Sequence, residues 1–162
     1  MVKNKEYQDN DYFISIGYTR TIEIFEDGYD DPSVPKMKYM GLTIKSTKPG
    51  FDTPEVPDAP NFLRSKFDDV IEDFGEENKA FNQRNAEEIF LFLQHIPMDS
   101  TIHIHCQAGQ SRSTGVGEGL KTIFTELGYE VDIYHVNSYI VPNKTVVKIL
   151  LENKEILVNS MK

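Results

Sequence analysis

Residues 101–113 read TIHIHCQAGQSRS, and the fold of the whole chain turns on how this stretch is taken. Thr101 to Cys106 has the composition of a short buried strand. From Ser113 onward, Val116, Leu120, Ile123, Phe124 and Leu127 recur on one helical face, and Gly128 is a natural C-terminal stop. The residues between them therefore form a tight loop joining a strand to a helix. In an α/β sheet that place is where ligands bind, at the carboxyl end of a strand. The incoming helix adds uncapped N–H groups and the positive end of its dipole, both of which favour an anion.

The loop residues suit a phosphate. A short turn whose amides point inward makes a nest of oxyanion size, contributed here by Gln107, Ala108, Gly109, Gln110 and Ser111. Gly109 allows close backbone approach or a positive φ at the tightest point. Cys106 stands at the mouth of the nest, where the same field favours its thiolate. A thiolate there is a nucleophile at neutral pH. Arg112 closes the loop with a planar fork that can grip two phosphoryl oxygens. Ser113 can donate a hydrogen bond to the sulfur, and His105 can fix the loop by hydrogen bonding.

His105-Cys106-x-x-Gly109-x-x-Arg112-Ser113 resembles the Cys-x5-Arg signature of the protein tyrosine phosphatase superfamily. Agreement at five defined positions has a chance frequency of roughly one in 10^5 for average composition. The chain is most similar to the dual-specificity branch, in particular its small bacterial and phage members, over residues 60–153. Phe67-Asp68-Asp69-Val70 stands where those members carry Phe-x-Asp, and Pro142-Asn143 before a last helix resembles them too. The resemblance implies a cysteine-phosphatase-like fold and hydrolysis of a phosphomonoester through a phosphocysteine. It also implies an aspartic acid that first protonates the leaving oxygen and then activates water. By motif that acid is Asp69. Asp73 fits by residue count back from the cysteine, and Asp68 is a third candidate. The catalytic set expected from the resemblance is Cys106, Arg112 and Asp69.

Outward from this core, strands are expected over residues 12–17, 38–45, 62–67 and 131–136. Helices are expected over 82–96, ended by Pro97, and after Asn143, which can cap a helix carrying Val147, Leu150 and Leu151. Asp27-Gly28 reads as a turn. Pro49, Pro54, Pro57 and Pro60 make 46–60 a long loop or linker. Alternating helices and strands predict an α/β class with a partly parallel central sheet flanked by helices. The 162 residues form one domain, 1–162, by the usual size relation. Gly115, Gly117 and Gly119 inside a helix predict close packing of that helix on the sheet.

Charge and cysteine content narrow the function classes. The net charge of −9 argues against nucleic acid and anionic membrane surfaces as partners, although a local basic pocket remains compatible with it. A single cysteine excludes an internal disulfide, and with no apolar leader or span in view the expected compartment is the cytoplasm. His103 and His105 share one strand face, but no further ligand set accompanies them, so neither metal nor cofactor is expected. Arg112 is the only charge in the loop, which suits a substrate phosphate bearing one ester. The expected partner is thus a phosphorylated protein or small phosphomonoester, phosphotyrosine first, with phosphoserine and phosphothreonine if the pocket is shallow. The acidic surface predicts a preference for phosphates in neutral or basic surroundings. Two other readings use the same loop: a phosphate-binding module without turnover, and a rhodanese-like sulfur transferase.

Overall fold

The computed structural model describes residues 12–17, 39–45, 62–73, 75, 79–94, 100–107, 109–135 and 137–161. Within these the chain runs β1 (Tyr12–Gly17), β2 (Tyr39–Lys45), β3 (Phe62–Lys66), α1 (Gln83–Leu93), β4 (Ser100–His105), α2 (Arg112–Glu126), β5 (Val131–His135), α3 (Lys144–Glu152) and α4 (Glu155–Ser160). The Asp27-Gly28 turn, the proline-bearing stretch 46–60 and Pro97 lie outside the described residues.

The strands form one sheet in the order β3-β2-β4-β1-β5. Every pairing among the described strands is parallel, where a partly parallel sheet is expected. The physical reason lies in the connections. From β3 through α1 to β4, and from β4 through α2 to β5, the chain returns to the starting edge inside a helix, which is what a parallel pairing requires. Both connections step the same way across the sheet, so right-handed crossovers place α1 and α2 on one face. The packing agrees, because α3 touches both α1 and α2. Register brings Gly17 of β1 and Thr43 of β2 level with His105, the last residue of β4. The Cys106 loop therefore leaves the sheet at its middle, with a strand end on either side.

The core lies between sheet and helices. Ile14, Leu42, Ile44, Ile102 and Ile104 meet Ile89, Phe90 and Leu93 of α1 and Val116, Leu120, Ile123 and Phe124 of α2. The helical faces expected for α1 and α2 are the ones buried. On α3 Leu150 is buried as expected and Leu151 packs partly buried against the core, while Val146 is buried and Val147 only partly covered. Helix α2 stops as expected at Gly128, whose φ is 93°. There Tyr129 N–H donates to Phe124 O and Gly128 N–H to Thr125 O, each at 3.0 Å, while the rings of Phe124 and Tyr129 meet edge to face. Helix α4 was not expected; Ile156, Leu157 and Val158 form its apolar stretch, and Leu157 is fully buried.

Two of the three glycines of α2 face another element than expected. A methyl group on Gly115 would stand 3.0 Å from the backbone oxygen of Asn143 and from Cβ of Val146, and one on Gly119 would meet Leu150. At these two positions the close approach is to α3. It brings the first turn of α3 against the first turn of α2, beside the cysteine loop. None of the described helices is long and apolar enough to cross a membrane.

Candidate active site

Cys106 follows β4 directly and is 2% exposed. Two groups converge on its sulfur. Gly109 N–H donates to Sγ at 3.3 Å, and Ser113 Oγ lies 3.1 Å away on the first turn of α2. Gly109 has a φ of 68°, a left-handed conformation that glycine adopts without strain and that turns its amide back toward the cysteine. Gln107 is exposed, Gln110 and Ser111 are partly covered, and Ala108 lies outside the described residues.

Arg112 is buried, and its Nη1 donates to the carbonyl of Phe67 at 3.1 Å. Phe67 is itself held on two sides. Its N–H donates to Lys45 O at 3.0 Å, and its fully buried ring packs edge to face on Phe81 with centroids 4.8 Å apart. The guanidinium thus hangs from a backbone carbonyl that the core holds in place, with further N–H donors of the fork beyond that bond.

The three candidate aspartates have separate fates. Asp68 is buried and accepts the Lys79 N–H at 2.8 Å, while its own N–H donates to Lys79 O. Asp73 accepts the Ala80 N–H at 2.7 Å. Both latch the segment after β3 to the approach to α1. Asp69 instead is exposed and turned to the cysteine loop: its Oδ1 accepts the Ser111 hydroxyl at 2.6 Å and the Asn143 amide Nδ2 at 3.0 Å.

Asn143 is the residue whose role the sequence conceals. It was legible as a helix cap, and it is one: Oδ1 accepts Thr145 N–H at 3.0 Å and Val146 N–H at 3.2 Å. The same side chain also donates through Nδ2 to Asp69 and to Val70 O, and its backbone N–H donates to Ser111 O at 3.0 Å. One buried side chain therefore joins the Asp69 segment and α3, and its backbone joins both to the cysteine loop. Neighbouring bonds reinforce the junction, from Val141 N–H to Gln110 O at 2.8 Å and from the Thr145 hydroxyl to Ile71 O at 2.8 Å. Pro142-Asn143 was the available signal, but a cap alone does not reveal a partner 74 residues away.

His105 is fully buried, and its Nε2 lies 2.9 Å from Thr43 Oγ1, which ties the end of β4 to β2. Burial lowers its pKa to about 4. Burial, and then the neighbouring His105, lower that of His103 to about 3. Both imidazoles are neutral at physiological pH, and the bond from His105 Nε2 runs to β2 and not to the cysteine loop. Among the described residues no group of three or more His, Cys, Asp or Glu is placed to hold a metal ion.

No family model, curated protein or solved structure matches this chain.

Proposed function

We propose that this chain is a cysteine-dependent phosphatase acting on phosphotyrosine, and on phosphoserine or phosphothreonine to the extent that they reach the sulfur. The observation that carries the reading is the bonding of Asp69 to Ser111 across 42 residues of sequence. It seats a carboxyl group beside a loop that already holds a cysteine and a buried arginine, so nucleophile, phosphate grip and proton donor form one unit.

The phosphoryl group sits over Cys106 with its oxygens toward the loop amides, the first turn of α2 and the Arg112 fork. Sulfur attacks phosphorus in line, and the bond to the ester oxygen breaks. Asp69, held through Oδ1, gives the departing oxygen a proton from Oδ2. The carboxylate left behind then takes a proton from water as that water attacks the phosphocysteine. Phosphate leaves, and Cys106 departs as a thiolate that the Gly109 N–H and the Ser113 hydroxyl stabilise. Exposed Ile71 and Val141 lie on the two segments bonded to this loop, with Tyr139 close by in sequence, and they give an aryl ester apolar surface at the rim. A cytoplasmic setting suits the mechanism, since a lone catalytic thiol must stay reduced.

The test is phosphate release from phosphotyrosine and phosphoserine peptides by the wild type and by Cys106→Ser. Hydrolysis lost in the variant is expected, faster on phosphotyrosine. A folded wild type that binds phosphopeptide without releasing phosphate would instead make this a binding module. Sulfur transfer from thiosulfate to cyanide would make it a sulfur transferase.

A further inference from the structure

A pocket of ≈ 660 Å³ opens beside β3 and the start of α1. Its lining includes Lys45, Arg64, Lys66, Lys79 and Arg84, against one acid, Glu88. Among the described lining residues, five cations thus face one cavity with one acid, in a protein of net charge −9. Lys66, Lys79 and Arg84 are exposed and form no salt bridge among the described residues. Such a concentration of like charge costs folding energy through self-repulsion.

The pocket opens at the same end of the sheet as the cysteine loop. Lys45 pairs with Lys66 at the carboxyl ends of β2 and β3, and Thr43, two residues earlier, pairs with His105. Phe67 stands between the two sites: its N–H bonds to Lys45 O and its carbonyl accepts Arg112. Strand β3 lies two strands from β4, so the two sites are separated by about 10 Å. An extended peptide covers that distance in about three residues.

We infer that the pocket is a second anion subsite, which takes a carboxylate or phosphate about three residues from the scissile phosphate on an extended phosphopeptide. The inference rests on the phosphatase reading and adds the class of substrate. It inverts the preference for neutral or basic surroundings expected from net charge, because the five lining cations outnumber the described carboxylates next to them, Glu88, Asp68 and Asp73, the last two of which already accept the Lys79 and Ala80 amides. Arg84 brings a fork for two oxygens, and Lys66 and Lys79 bring mobile point charges.

The experiment uses phosphotyrosine peptides with Gln, Glu or phosphoserine three residues to either side. Affinity for full-length Cys106→Ser is read by fluorescence anisotropy, and kcat/KM for the wild type. At low salt the Glu and phosphoserine peptides should bind about tenfold more tightly than the Gln peptide, and the gain should shrink at about 500 mM salt. The triple variant Lys66→Gln, Lys79→Gln, Arg84→Gln should abolish the gain. If the triple variant does not fold, Lys66→Gln and Lys79→Gln singly should each cut it by about half or more. A gain with phosphoserine alone identifies phosphate as the ligand; a gain with both shows that a carboxylate suffices. Equal affinities for the three peptides, or a gain that survives the triple variant, overturn the subsite. Absence of hydrolysis with the affinity pattern intact would remove the phosphatase reading alone.

Discussion

Helices α1 and α2 each follow a parallel strand, α1 after residues 67–82 and α2 after residues 106–111, and their N-termini are finished in opposite ways. At α1, Asn82 accepts the Asn85 N–H at 3.0 Å and Asn85 accepts the Asn82 N–H at 3.1 Å, a closed capping box. Asn85 then reaches on to Lys66 O and locks the helix to β3. At α2, Ser111 occupies the cap position with a good capping side chain, but it makes no capping bond. Its hydroxyl goes to Asp69 instead. One helix start is sealed by its own residues. The other leaves its first amides without a side-chain cap, beside a cysteine and a buried arginine. Structure is completed at the first by its own residues; at the second the capping hydroxyl is spent on Asp69, and under the proposed function the uncapped amides face the phosphate.

The contrast is tested most severely at Cys106. Cys106→Ser should abolish phosphate release while phosphopeptide binding persists, since the amides and Arg112 that hold the anion remain. Loss of binding together with turnover would mean that the sulfur, not the open helix start, holds the ligand. Next in size is the acid. Asp69→Asn should lower kcat by about a hundredfold or more on esters with poor leaving groups, and less on activated aryl esters that depart without a proton. Asp68→Asn and Asp73→Asn should act on the stability of their loop. If Asp73→Asn stops catalysis and Asp69→Asn does not, the bonded carboxylate is not the acid.

Acid pH reaches the end of β4. His105 has a folded pKa of about 4, against about 6.5 for the unfolded chain. Between those values the unfolded state binds more protons, so stability is complete above pH 6.5 and falls as pH drops toward 4. From pH 7 to 5 the loss from this one group is about 2 kcal/mol, readable in urea unfolding and reduced in His105→Gln.

The smallest effects compare the caps themselves. Asn82→Ala should cost about 1 kcal/mol of stability, because it opens a box that only holds a helix. Ser111→Ala should leave the unfolding midpoint near the wild-type value and lower kcat severalfold, since that hydroxyl holds the acid and caps nothing. Asn143→Ala combines the two losses: about 1 kcal/mol from the α3 cap, with kcat lowered by about tenfold as Asp69 loses its anchor. If Ser111→Ala destabilised the protein as much as Asn82→Ala, the two helix starts would be alike and the comparison would fail.

Much of this was legible in the chain itself. The strand, loop and helix around Cys106, the buried faces of α1 and α2, the Gly128 stop and the Asn143 cap all follow from residues within one or two turns of each other, where spacing and capping chemistry act directly. The rest depends on partners far apart. A cap does not announce that its other atoms will hold Asp69, three neighbouring aspartates do not say which one will meet Ser111, and a net charge of −9 hides five cations that strand pairing and one helix bring into a single pocket. Local propensity wrote the loop and its cysteine. Tertiary packing brought Asp69 and not its neighbours to Ser111, buried Val146 of α3 and gathered the cations, because hydrogen bonds across 42 and 74 residues form only after the parallel sheet has set its register.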